Sequence, residues 1–177
     1  MAISPSLPTT SPLPTAAPVP AWARRAAAAA VWTSAPSALW RLAVVLGVPL
    51  GLAQSEYDSM LLPGWGYLVL PLLSALQEGL AFLTLGLVRP WGEVWPRWIP
   101  FLKGRRIPVN AAVIPAALGA LACTVYGVLF VWTTLHADME ITRWGEWVMN
   151  ACYVPLVAWG PLLAVVTLHY RRRRTRR

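Results

Sequence analysis

Residues 111–132 contain no charged side chain, and that run constrains the chain more than any other feature. A helix rises about 1.5 Å per residue, so a segment of this length reaches about 33 Å, enough to cross a hydrocarbon core about 30 Å thick. In such a core the backbone N–H and C=O groups must be paired within the segment, which leaves the α-helix as its conformation. A second run, Tyr67 to Val88, is broken by charged or amide side chains only at Gln77 and Glu78.

By the same criterion two further spans are expected, giving four in all, at about 38–54, 66–88, 111–132 and 147–169. The first is the shortest in apolar content, with an uninterrupted run only from Leu42 to Ala53. It spans if Arg41 snorkels to the interface beside Trp40. The expected fold is therefore all-α, a polytopic membrane protein with four transmembrane helices.

Composition excludes the competing class. Hydrophobic residues make up 57% of the 177-residue chain and charged residues 12%, about half the charged share of a soluble domain. A soluble enzyme is disfavoured on that ground. The net charge of +8 would point to nucleic acid in a soluble protein, but here its placement argues topology instead. Arg24, Arg25 and Arg41 precede or edge the first span, and Arg89, Arg97, Lys103, Arg105 and Arg106 fill the middle loop. Arg171 to Arg174, Arg176 and Arg177 form the tail at 171–177, whereas the other two loops hold only Arg143. By the positive-inside rule both termini and the middle loop are expected in the cytoplasm. Five acids (Glu56, Asp58, Asp138, Glu140, Glu146) lie in or beside the opposite loops.

Residues 1–20 hold six prolines and six Ser or Thr, a composition with no core to bury. The expectation for 1–37 is a disordered tail followed by a short Ala-rich helix, Ala26 to Trp32, ending before Pro36. Charged residues come only after the neutral stretch, the reverse of a secretory leader.

Tryptophans reinforce the span limits. Trp40, Trp65, Trp132, Trp144 and Trp147 fall at expected span ends, where an indole sits at headgroup level. In the middle loop Trp91, Val94, Trp95 and Trp98 share one helical face, with Arg97, Lys103, Arg105 and Arg106 placed for anionic headgroups. Pro90, Pro96 and Pro100 preclude a long helix there, so an irregular segment lying on the inner leaflet is expected, with the bilayer and its anionic headgroups as partner. The arginine tail reads as a stop-transfer anchor that also holds headgroups.

Glu78 is the side chain with the clearest chemical potential. An ionised carboxylate near the middle of a span costs about 2.5–3.5 kcal/mol even on the lenient insertion scale, so it should face protein or water. Thr124 and Tyr126 lie at similar depth in the third span and are expected as hydrogen-bond donors, with Gln77 adjacent. The site reads either as a proton or cation site or as an interhelical clamp.

Packing surfaces are expected at Gly47 and Gly51 in span one, at Ala75 and Gly79 in span two, and along Ala112, Ala116 and Ala120 in span three. Every expected span carries proline: Pro49, Pro71, Pro115, and Pro155 with Pro161. An offset of 79 residues aligns Met60, Trp65, Gly66 and Val69 with Met139, Trp144, Gly145 and Val148, leaving a duplicated two-span hairpin or coincidence as alternatives.

No HExxH, GxSxG, phosphate-loop or dinucleotide fingerprint occurs, so neither a catalytic residue nor a cofactor is expected. His136, Asp138 and Glu140 carry metal-ligand atoms in one loop, and a hydrated polar loop is the expected reading. Cys123 and Cys152 fall within apolar segments, without a CxxC or disulfide pattern.

The segment Gly86 to Pro115, GLVRPWGEVWPRWIPFLKGRRIPVNAAVIP, resembles one found in small, uncharacterised multi-span membrane proteins of actinobacteria. The resemblance covers about thirty residues and the flanking spans. It implies a bacterial cell-membrane protein of the same topology and carries over no functional residue. Small multidrug transporters also combine four spans with a membrane carboxylate, but theirs stands in the first span and Glu78 in the second. The expected function is a non-enzymatic accessory or structural membrane component, with a membrane-protein partner or a homo-oligomer. The alternative is a small proton-coupled transporter using Glu78.

Overall fold

The computed structural model describes residues 19–94, 106–136 and 140–175, and every regular element among them is helical. In chain order these are α1 (Ala21–Val45), α2 (Gln54–Ser59), α3 (Gly66–Gly86), α4 (Val109–His136), α5 (Arg143–Tyr153) and α6 (Trp159–Thr175), with 3-10 turns at Pro90–Gly92 and Val154–Ala158. The proline-rich residues 1–18, the loop 95–105 that includes Trp95, Arg97, Trp98, Lys103 and Arg105, and residues 137–139 and 176–177 lie outside the described residues.

Among the described residues three stretches are long and apolar enough to cross a membrane: Gly66–Gly86, Val109–His136 and the run Arg143–Thr175 formed by α5, its 3-10 turn and α6. They match the second, third and fourth expected spans. The break in the last lies at Pro155, whose ring removes a backbone donor.

The first expected span is different. Its helix does not cover 38–54 but begins at Ala21, passes through Pro36 and stops at Val45. The Ala-rich helix expected to end before Pro36 is instead the first half of α1. Hydroxyls close to the proline donate to backbone carbonyls one turn back, Thr33 to Ala30, Ser34 to Val31 and Ser37 to Ser34, at 2.8–2.9 Å. Such side-chain bonds are what let a buried helix carry proline.

What holds α1 in place is a stripe the apolar-run criterion does not see. Ala23, Ala27, Ala30, Ser34, Ser37, Arg41 and Val44 are buried and recur at alternating steps of four and three, the spacing of a coiled-coil seam. On α6 the buried Trp159, Leu163, Val166 and Tyr170 repeat it. The small residues of α1 let α6 approach on one side and α3 on the other, and α4 packs on the far side of α6. The order across the bundle is therefore α3, α1, α6, α4. Between α3 and α4 there is no comparable packing.

That order does not fit a duplicated hairpin. A two-fold relation carrying α1 onto α4 and α3 onto α6 would turn the α1–α6 contact into an equivalent α4–α3 contact, which the bundle lacks. The sequence match at an offset of 79 has no counterpart in the packing.

At one end, the chain from Gly47 to Leu62 folds back as a cap. Gly47 and Gly51 both have φ +75° and lie after α1 has ended, so they form no helical packing motif. Gly51 is needed because any Cβ there would collide with Thr142. Ala53 N–H donates to Glu140 at 2.9 Å and Thr142 N–H to Gly51 at 2.8 Å, tying the two loops of this end together. At the other end the edge of Trp22 meets His169, with ring centroids 4.9 Å apart. Glu93, in the loop after α3, pairs with Arg173 at 2.6 Å and with Arg174 at 3.5 Å. Two tail arginines expected to serve headgroups are thus held by protein.

Outward-facing residues are overwhelmingly apolar. Leu72, Leu76 and Leu83 on α3 and Ile114, Leu118, Leu121 and Val128 on α4 are each more than half exposed. A sheath of this kind exceeds the apolar patches tolerated in water and matches a lipid environment.

Candidate functional site

Polar side chains concentrate at one level of the bundle. Ser74 and Gln77 lie 8 and 11 residues into the 21-residue α3, about 12 and 17 Å along a helix of about 31 Å, so they sit near its middle. Arg41, on the α1 seam, is 8% exposed and turns toward them. Its Nε donates to Ser74 Oγ at 2.9 Å, its Nη2 to Gln77 Oε1 at 2.6 Å and its Nη1 to Tyr153 Oη at 3.5 Å. Gln77 Nε2 in turn donates to Ser37 Oγ at 2.9 Å and to the Ser34 carbonyl at 3.1 Å. Arg41 therefore does not snorkel; its partners lie across the helix interface, and a cation with hydrogen-bonding neighbours prefers them to hydrocarbon.

Aromatic rings enclose the arginine. Tyr153 ends α5 and lies under the guanidinium, whose carbon stands 6.0 Å from the ring centroid. Trp40 meets the same ring edge-on at 5.4 Å and Phe130 stacks on it at 5.6 Å. Trp40 is 5% exposed and belongs to the core, not to the interfacial belt expected for it. Trp65, Trp132, Trp144 and Trp147 are more than half exposed near the α2 end, as an interfacial girdle requires.

All three acceptors of Arg41 are neutral, and among the described residues no carboxylate stands within ion-pair distance of it. Guanidinium carries five N–H donors, so two remain unused. The buried centre thus keeps a full positive charge with spare donors.

Glu78 is not part of this centre. It lines a groove of about 390 Å³ on another side of the α1–α3 pair, with Ala35, Leu39, Leu42, Pro71 and Ser74, and its Oε1 is buried without a hydrogen-bond partner. The expected donors are elsewhere. Thr124 donates to the Ala120 carbonyl at 2.7 Å and lies against Gly160, where a Cβ would collide with it. Tyr126 lines a cleft that also holds Arg41 and Gln77. Consecutive helical residues point about 100° apart, which is why Gln77 and Glu78 serve different surfaces.

That cleft opens between α3 and α4 where the two helices fail to meet. One chamber, about 470 Å³, contains Arg41, Gln77, Tyr126 and apolar neighbours. A second, about 260 Å³, continues toward the terminal end between Leu83 on α3 with Leu87 just past its end and Ala112, Ala116 and Gly119 on α4. Leu80, Cys123 and Trp159 border both. Ala112, Ala116 and Ala120 face the bundle as expected. Ala75 and Gly79 do not pack; both are exposed, and a Cβ on Gly79 would meet nothing within 4 Å.

The remaining expected sites are dispersed. Trp91 stacks on Phe82 at 5.5 Å and covers Gly86, and Arg106 is exposed and bridges by its backbone to Val94. His136 bonds through its ring to the Trp132 carbonyl, and Glu140 accepts from Ser55. Asp138 lies outside the described residues. Among the described residues no three His, Cys, Asp or Glu side chains gather for a metal ion. Cys123 and Cys152 are free thiols. Sequence reasoning missed Arg41 as the centre, although its place on the stripe from Ala23 to Val44 was a usable signal.

Taken together, the three apolar helices and their exposed sheath define a membrane-embedded helical protein. No known family, curated protein or solved structure matches the chain.

Proposed function

We propose that the protein is a non-enzymatic component of a bacterial cell membrane, with an accessory or structural role. It has four spans, α1 serving as the first, and both termini in the cytoplasm. The observation that supports this reading is Arg41, which hydrogen-bonds α1 to α3 and α5 at the middle of the bundle, as an interhelical clamp does. The basic clusters at the two ends of the chain and in the middle loop support the orientation. Native mass spectrometry of tagged protein, extracted gently from its own membrane, tests the role: a stoichiometric second protein is expected, and a chain found only alone or with copies of itself counts against it. Cysteine accessibility tests the threading, with Asp58 reporting the side opposite to Lys103 and the C-terminal tail.

A second reading, a small proton-coupled transporter, draws on the unpartnered Glu78 Oε1. Glu78→Gln separates the two. Loss of proton-dependent flux with folding intact favours transport, whereas unchanged behaviour leaves the accessory role.

A further inference from the structure

We infer that the α3–α4 cleft binds a long-chain carboxylate, with its head on Arg41 and its tail in the chamber between α3 and α4. This goes beyond the accessory role and does not depend on it. The head site is built by the bundle itself. Arg41 is more than nine-tenths buried, keeps two N–H donors free of its three neutral partners, and borders the cleft together with Tyr126. A carboxylate accepts two parallel N–H bonds from guanidinium, and the exchange of charge inside hydrocarbon makes such a pair stronger than in water. Tyr126, on the same wall, carries a hydroxyl, a donor of the kind a carboxylate accepts from.

The rest of the cleft discriminates for an acyl tail. Of its two chambers, the larger, about 470 Å³, falls in the size range of small-molecule sites, apolar with a few convergent polar groups, and the smaller, about 260 Å³, extends it. From Cys123 to Ala112 the α4 wall runs about 16 Å, the length of about a dozen methylenes in an extended chain with C–C bonds of about 1.5 Å. Gly119 keeps the tail chamber open, since a Cβ there would reach only Leu163, at 3.7 Å.

The test uses the full chain in phosphatidylcholine nanodiscs, with palmitate and hexadecanol as probes and native mass spectrometry as readout. One palmitate per chain is expected, with hexadecanol bound at least about tenfold more weakly for want of the charge. R41Q should abolish the preference for palmitate over hexadecanol. G119L fills the tail chamber without touching the head site, and each buried methylene is worth roughly fourfold in affinity, so palmitate should weaken more than tenfold while keeping its preference over hexadecanol. Because G119L leaves the arginine network intact, it keeps the test decisive even where R41Q does not fold. Equal binding of palmitate and hexadecanol, no palmitate bound, or palmitate binding indifferent to G119L would each overturn the proposal. So would a stoichiometric second protein, retained by the native chain and lost from R41Q, that prevents palmitate from binding.

Discussion

Arg41 Nη2 and Gln77 Oε1 stand 2.6 Å apart across the α1–α3 interface, and the amide of Gln77 passes the connection on to Ser37 and Ser34. Each member satisfies a polar group on a different turn of α1, so the network locks the axial position of α1 against α3. Hydrogen bonds to charged groups are worth about 1.5–3 kcal/mol, and removing one partner strands the other in an apolar setting. Gln77→Ala should therefore destabilise by about that amount. Arg41→Gln and the double variant complete a cycle whose coupling should exceed about 0.5 kcal/mol. Reversible unfolding in mixed micelles measures it, and additive single effects would show that the two side chains do not act as a unit.

Close helix approach should separate two helical glycines. A Cβ at Gly160 would collide with Thr124, including its backbone, whereas one at Gly79 meets open space. Gly160→Ala must push α4 from α6, an overpacking cost of about 1–3 kcal/mol. Gly79→Ala should be neutral or stabilising by up to about 1 kcal/mol, since alanine is the better helix former. Thermal unfolding of the two variants checks the contrast, and equal effects would contradict the α4–α6 packing.

The ion pairs of Glu93 hold a loop to a tail. Glu93 meets Arg173 and Arg174, all three largely buried, and Arg174 also donates to the Ile107 carbonyl at 2.7 Å. Glu93→Gln leaves two buried cations without their counter-charge. Because the pairs lie at the end of the bundle, the expected outcome is local: faster amide exchange around residues 90–94 and 106–109, with exchange in α1 unchanged. Exchange faster throughout the bundle would instead make this cluster part of the core.

Much of the architecture was legible because a charge-free run as long as residues 111–132 has few alternatives. Apolar content is a sum over all faces of a helix, and α1 escapes such a sum. Its buried face is alanine, serine and one arginine, its start carries Arg24 and Arg25, and Pro36 reads as a stop. Only the four-and-three spacing from Ala23 to Val44 reveals it. The site was harder. Gln77 and Glu78 stood out as polar residues in an apolar run, but which one meets a partner depends on which helix lies beside α3. Depth along the chain placed Thr124 and Tyr126 level with Glu78 and could not show that α4 packs on α6 and leaves a gap toward α3.

The stripe on α1 gives a test of that account. Ala27 and Ala30 are fully buried at the face α1 turns to the core, whereas Trp32, between them and the proline, is 75% exposed. If small volume is what seats α1 in the bundle, enlarging the stripe must force α6 away, at a cost of about 1–3 kcal/mol for each overpacked position. Trimming an outward residue should cost little. Ala30→Leu is thus expected to destabilise the folded protein and Trp32→Ala to leave its unfolding unchanged, although the first substitution raises the hydropathy of α1 and the second removes its largest ring. Were α1 merely a helix lying beside three spans, the added leucine would be accommodated at the surface and both variants would unfold like the parent.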